Sequence, residues 1–334
     1  MTPSPGVQAQ APAVAEIAAA GRQVLDAVGT AVVGRDRTVR LALAAVLAGG
    51  HVLLEDVPGL GKTLMARSLA AALGLEFRRL QCTPDLLPAD VTGSFLYDPA
   101  RRDFEFRPGP IFAGLLLADE VNRTPPKTQS ALLEAMQERQ VTVEGRTFPL
   151  PAPFHVLATA NPIEYEGTYP LPEAQLDRFL LRLDVGYPER TEELAVLRRR
   201  LDRRREEVTV DAVVDAERLR ALQAGVERLD VDADVLGYCV ELAAATRRHG
   251  AVEVGASPRG SLALLLVSRA LAVIDGRDFV LPEDVKECAL AALAHRLTLR
   301  PETWTSGTTG IDVVNELLTI VPTPPSTRTA AGRR

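Results

Sequence analysis

The residues best suited to chemistry begin at Asp56, where Asp56-Val57-Pro58-Gly59-Leu60-Gly61-Lys62-Thr63 follows an apolar run and opens a helical pattern. A triphosphate needs several N–H donors converging on its oxygens, and small residues let the backbone come close. Gly59 and Gly61 supply that approach, Pro58 and Leu60 complete the loop, and a helix N-terminus near Lys62 adds partial positive charge. The Lys62 ammonium reaches the outer phosphates, and the Thr63 hydroxyl is a ligand for Mg²⁺. The common form of this pattern starts with Gly where this chain has Asp56, at a position that shapes the turn and supplies neither cation nor metal ligand. A bland reading, a surface turn with an incidental lysine, is weakened by a second motif. Leu115-Leu116-Leu117-Ala118-Asp119-Glu120 is an apolar strand ending in two acids. Asp119 is placed to hold Mg²⁺, directly or through water, and Glu120 to polarise an attacking water. Acidic pairs after strands are common in α/β proteins, but paired with the loop this one points to ATP and Mg²⁺ as cofactors.

Positioning these groups requires a parallel sheet. From Val33 to about Gly186, short apolar runs at 51–55, 76–82, 115–119, 154–159 and 180–185 alternate with helical patterns at 38–47, 62–73, 128–138 and 173–179. Two stretches, 98–106 and 140–150, read instead as hairpins, the second turning at Glu144-Gly145. After Tyr187-Pro188 strand signals stop, and amphipathic helices are expected at 191–205, 216–228, 233–249, 258–274 and 282–295. The expected fold class is therefore an α/β P-loop core with a parallel sheet covered by helices, followed by an all-helical second domain. The expected boundaries are a disordered tail at 1–16, the core at 17–186, the helical domain at 187–321 and a second tail at 322–334.

Composition narrows the function classes. The 334 residues are 46% hydrophobic and 25% charged, an ordinary globular balance, with enough chain to bury a core without staples. The net charge of -6 argues against wrapping nucleic acid through bulk positive charge. The run from Leu197 to Glu207 is rich in arginine but interleaved with acids at helical spacing, and reads as a solvated helix face. Cys82, Cys239 and Cys288 are dispersed and odd in number, which fits core thiols in a reducing cytoplasm. The four histidines lack metal-ligand spacing, and no apolar run approaches the ~20 residues of a membrane span. A cytoplasmic protein with no anchor of its own is expected.

With both motifs in hand, the text around them closely resembles the MoxR family of AAA+ ATPases. The resemblance is carried by Thr83-Pro84-Asp85-Leu86-Leu87-Pro88, by Gly109-Pro110-Ile111-Phe112, by Asp119-Glu120-Val121-Asn122-Arg123, by Pro125-Pro126-Lys127-Thr128-Gln129 and by Ala160-Asn161-Pro162, within roughly 33–295. It accounts for both hairpins, as inserts in the second core helix and before sensor 1, and makes the helical domain a lid. It also implies further roles. Asn161 matches sensor 1, which helps place the attacking water beside the γ-phosphate. Arg178 matches the arginine finger that reaches the neighbouring subunit's nucleotide. Arg259 matches sensor 2, contacting the phosphates of its own subunit from the lid. Val33 and Gly34 resemble the segment lining the adenine pocket, while the sequence fixes no role for Arg123 at the subunit interface.

A finger serving a neighbour implies a homo-oligomeric ring, hexameric in most AAA+ relatives. By the same analogy the work is chaperone-like remodelling of a client protein, often with a von Willebrand factor A domain partner and sometimes in metal-cofactor insertion. Phe104 and Phe106 on the first hairpin either face a pore or client or pack the hairpin onto the core. Two other classes compete: a nucleic-acid motor, disfavoured by the acidic total, and a nucleotide-gated scaffold without turnover, disfavoured by Lys62, Glu120, Asn161 and Arg178 standing together.

Overall fold

The structure, a computed structural model, describes residues 12–161 and 167–325. Most of both expected tails, and the continuation of the Ala160-Asn161-Pro162 motif, lie outside the described residues. The chain opens with α1 (Val14–Ala31) and α2 (Asp36–Leu47), then β1 (Val52–Glu55), α3 (Lys62–Ala72) and β2 (Phe77–Gln81). A short α4 (Pro88–Thr92) leads into the hairpin β3 (Gly93–Asp98) and β4 (Asp103–Pro108), then β5 (Leu115–Asp119) and α5 (Pro126–Glu138). A second hairpin, β6 (Gln140–Val143) and β7 (Arg146–Pro149), precedes β8 (His155–Ala160), α6 (Glu173–Leu176) and β9 (Leu181–Leu183). The remainder is α7 (Arg190–Arg203), α8 (Ala216–Glu227), α9 (Ala233–Arg248), β10 (Val252–Val254), α10 (Pro258–Ile274), α11 (Pro282–Leu293), β11 (Thr298–Leu299) and α12 (Gly310–Ile320).

Five strands form one sheet in the order β2-β5-β8-β1-β9, every pair parallel. Burial on both faces explains why the inner strands β1, β5 and β8 read as mainly apolar runs, whereas β2 at the edge exposes Arg78, Arg79 and Gln81. Along β5 the side chains alternate, Leu115 and Leu117 into one core and Leu116 and Ala118 into the other. The first core is shared by α1, α2, α3 and the C-terminal helices, and the second lies under α5 and the two hairpins.

Three expectations need correction. The N-terminal tail was expected to run to residue 16, but Val14 already begins α1, whose Ile17, Val24 and Val28 are buried in the first core. The C-terminal region is not wholly helical, since β10 and β11 pair antiparallel within it. The expected helix at 173–179 stops at Leu176, so Arg178 lies beyond its end. Both hairpins form where expected, with Glu144 and Gly145 at positive φ in the second turn. The choice for their aromatics resolves by position. Phe106 stacks on Phe148 of the other hairpin, 4.0 Å between centroids, whereas Phe104 is exposed and paired only edge-on with Tyr97.

Two buried histidines tie the sheet to its neighbours. His51 accepts from the Val156 N–H through Nδ1 at 2.9 Å, which puts its proton on Nε2 facing the Met136 carbonyl at 3.0 Å. His155 sets Nδ1 against the Gly50 carbonyl at 3.0 Å and Nε2 against the Gln223 amide of α8 at 3.1 Å. Burial pushes His51 down to about 3 and His155 down to about 4, so both fold as neutral rings. The unfolded chain binds their protons near pH 6.5 and the folded chain does not, so stability rises with pH across this window. It is complete above about 6.5 and is lost as pH falls toward the folded values. At about 1.4 kcal/mol per pH unit for each ring, urea unfolding at pH 5 should show about 4 kcal/mol less stability than at pH 7. A pH-independent midpoint over that range contradicts the assignment.

Candidate functional site

Parallel pairing collects four strand ends at one edge of the sheet. β1 runs directly into the loop at 56–61, and α3 starts at Lys62 with Gly61 as its N-cap. Gly59 and Gly61 have φ of +86° and +83°, conformations that side chains resist, and a Cβ on either would meet nothing within 4 Å. The loop is thus an open cradle of backbone, with its exposed face free for phosphate. Lys62 is buried and its Nζ donates to the Asp56 carbonyl at 2.5 Å. Burial lowers its pKa, opposed by the negative charges of Asp56, Asp119 and Glu120, which places all three acids within electrostatic reach of the ammonium.

The acids sit on the next strands. β5 lies beside β8, and the Thr159 hydroxyl bridges them, donating to Asp119 Oδ1 at 2.6 Å and accepting from the Glu120 N–H at 2.8 Å. Arg79 of β2 reaches Asp119 Oδ2 at 2.6 Å. Glu120 stands at φ 59°, ψ 51°, a left-handed conformation uncommon for a side-chain-bearing residue and frequent at functional positions. Its Oε2 is contacted by Gln81 Nε2 and Arg123 Nε, each at 3.2 Å. Asn161 follows β8 and is buried beside the loop, where the Asp56 N–H donates to the Ala160 carbonyl. Asp119, Glu120 and Asn161 are recognisable in the sequence, whereas Arg79, Gln81 and Thr159 are not. The legible signal was polar residues at 79 and 81 in an otherwise strand-like run.

A cleft of about 290 Å³ opens beside the cradle, lined by Val32, Val33, Gly59, Leu60, Leu64 and Val196 among others. Its apolar walls and size suit a purine ring. Gly34, at φ +69°, lies against the Glu192 carboxylate of α7. Thr63 and Asp119 are hard oxygen donors next to this cradle, which fits Mg²⁺ held partly by phosphate and water. Among the described residues no group of three or more His, Cys, Asp or Glu forms a self-sufficient metal site.

Asp56 does more than shape the turn. One carboxylate oxygen accepts from the Val57 N–H at 2.7 Å, and the other accepts from Val185 at 3.0 Å and Gly186 at 2.5 Å. Arg35 donates to the Gly186 carbonyl at 2.7 Å from the other side. A glycine at position 56 has no side chain to make these bonds, so the departure from the common pattern ties the loop to the exit from β9.

Arg178 and Arg259 are elsewhere. They line one cleft of about 230 Å³ together with Gly49, Gly50 and Asp177, at the edge where β1 and β9 begin and the Leu180 N–H donates to the His51 carbonyl. Five extended residues separate His51 from Asp56, roughly 16 Å. Arg259 was expected to contact the phosphates of its own subunit. In the structure its side chain lines the same cleft as Arg178, at the edge of the sheet where α10 begins.

Comparison with known proteins agrees with this architecture. Residues 51–181 match the model of the ATPase family associated with various cellular activities (AAA), and residues 244–317 match the AAA lid domain. A crystal structure from Cytophaga hutchinsonii superposes with a TM-score of 0.87 at 40% identity, covering 93% of this chain and 97% of that one. The uncharacterized protein YeaC of Bacillus subtilis is 48% identical over 90% of this chain and 94% of its own length. Chaperone MoxR1 of Mycobacterium tuberculosis is 43% identical over 88% of this chain and 79% of its own.

The Asp56 tether gives a direct test. Asp56→Asn keeps the shape but removes the charged acceptor, and should lower stability by about 1–3 kcal/mol in urea unfolding, with weaker ADP binding by titration. Unchanged values for both contradict the tether. The open cradle, the bridged acids, the fold and the relatives converge: the chain belongs to the MoxR family of AAA+ ATPases.

Proposed function

We propose that this protein hydrolyses ATP, with Mg²⁺, at the subunit interfaces of a homo-oligomeric ring and uses the turnover to remodel client proteins. The observation that carries the reading is the division of its motifs between two edges of one sheet. The cradle, Asp119, Glu120 and Asn161 stand at one edge, and Arg178 with Arg259 at the other. A site so divided is completed by a second copy: each subunit holds the phosphates, and its neighbour supplies both arginines. Such a contact is heterologous, head to tail, and closes into a ring. We adopt the hexamer usual among AAA+ proteins.

In this reading Val33 and Gly34 flank the adenine, and Lys62 with the α3 N-terminus and the backbone of Pro58, Gly59, Leu60 and Gly61 holds the phosphates. Thr63 and Asp119 would hold Mg²⁺, which would supply positive charge to offset that of the phosphates. Glu120 accepts a proton from water as it attacks the γ-phosphorus, Asn161 orients that water, and ADP and phosphate leave. Arg178 and Arg259 of the neighbour stabilise the charge on the transferring group, an effect worth about 10³–10⁵ in rate for arginine fingers.

Client remodelling is supported by the name of the chaperone relative and by the exposed Tyr97 and Phe104 at the first hairpin's tip. A von Willebrand factor A domain partner, a part in metal-cofactor insertion and a cytoplasmic setting belong to the same reading. No helix among the described residues is long and apolar enough to cross a membrane.

Glu120→Gln should bind ATP and retain it in an assembled ring, with turnover down at least 100-fold in a phosphate-release assay. Hydrolysis at the parent rate removes Glu120 from the mechanism. Arg178→Ala should bind ATP like the parent yet lose turnover, and mixing it with Lys62→Ala subunits should restore activity above the sum of the two. Absence of that recovery counts against a shared site.

A further inference from the structure

The cleft holding Arg178 and Arg259 is organised around one carboxylate. Asp177 Oδ1 accepts from Arg296 Nε at 2.8 Å, and Asp177 Oδ2 accepts from the Ser257 hydroxyl at 3.0 Å. Ser257 is also the N-cap of α10, its oxygen accepting the Arg259 N–H at 3.1 Å. Arg296, almost fully buried, extends the grip along the chain after Arg178, with Nη2 donating to the Phe179 carbonyl at 2.7 Å and Nη1 to that of Leu180 at 3.3 Å. Asp177 precedes Arg178 in the chain, and Ser257 lies two residues before Arg259. One acid therefore joins the turn that carries the first arginine to the helix start that carries the second.

We infer that Asp177, with Ser257 and Arg296, is a positioning group that holds Arg178 and Arg259 in a fixed mutual geometry for the neighbouring subunit's nucleotide. The inference rests on the shared-site reading above. Stability alone gives a weak reason for this arrangement, because a buried ion pair loses much of its attraction to desolvation and apolar replacements are often as stable. Burial indeed lowers the Arg296 pKa, against the opposing pull of Asp177. What the group contributes is preorganisation. A guanidinium acts on a transition state only when its donors already point at the charge that develops, and a displacement of about 1 Å costs on the order of 100-fold in rate. Arg178 lies beyond the end of α6, and Arg259 stands exposed in the first turn of α10, so neither side chain is fixed by burial in a core.

The test separates positioning from folding by asking which half of the shared site is lost. Asp177→Asn should bind ADP within about twofold of the parent, because its own cradle is at the other edge, while turnover falls about 10- to 100-fold. Mixed with Lys62→Ala subunits, which carry intact arginines, it should regain activity as Arg178→Ala does. Asp177→Glu should recover part of the loss. If Asp177→Asn does not fold, Ser257→Gly decides, since glycine caps a helix nearly as well but cannot reach Asp177. It should show the same pattern with a smaller fall. Parent-like turnover, or a defect that Lys62→Ala subunits do not relieve while they relieve Arg178→Ala, overturns the inference alone. Failure of the Arg178→Ala mixture as well overturns the shared site and this inference with it.

Discussion

Parallel pairing of all five strands is the constraint on which the rest of the molecule depends. In a parallel sheet every strand ends at the same edge, so the groups that follow β1, β5 and β8 meet without any further device. That is why a loop, an acidic pair and an asparagine separated by dozens of residues in sequence lie within one hydrogen-bonded array. The same polarity forces whatever precedes β9 to the opposite edge, which is where Arg178 lies. A subunit built this way carries its cradle and its Arg178–Arg259 cleft at opposite edges of the sheet.

The charged groups at each edge follow one economy. Asp119 and Glu120 stand close together near a buried lysine, a cluster that is tolerable only because every member is bonded. Thr159 and Arg79 hold Asp119, Gln81 and Arg123 hold Glu120, and the Asp56 carbonyl holds Lys62. Several of these bonds occupy atoms that phosphate and Mg²⁺ claim in the proposed reaction. The Lys62 bond to a neutral carbonyl is weaker than one to a phosphate oxygen, so ligand binding replaces contacts with stronger ones and leaves little exposed charge. At the arginine edge Asp177 plays the reverse part, a lone acid among Arg178, Arg259 and Arg296.

How much of this was legible depended on whether the signal is local. β5 and α10 were placed to the residue because an unbroken apolar run and a Ser-Pro cap each mark their own limits. Gly59, Gly61, Lys62, Asp119 and Glu120 were legible because spacing alone gives them meaning. Arg79, Gln81 and Thr159 were not, since each acquires its partner only when β2, β5 and β8 become neighbours across the hairpins that separate them in sequence. Asp56 was misweighed for the same reason: its two partners lie 129 and 130 residues away. The side of the sheet to which Arg259 belongs is set by where α10 packs, and α10 packs on α1 and α2, elements outside any motif.

That packing bears on how nucleotide state reaches the helical region. α10 and α11 share an unbroken apolar core with α1, α2 and α3, so swinging them away from the sheet would expose much of that core to water. α7 differs. It buries no residue, carries exposed Leu197 and Leu201, and is reached directly from the Gly186 peptide held between Asp56 and Arg35. The helix fastened to the phosphate loop is therefore one with little packing to lose. The Asp56–Gly186 link thus leads into a helix that buries no residue, whereas the Arg178–Arg259 cleft is backed by the shared core.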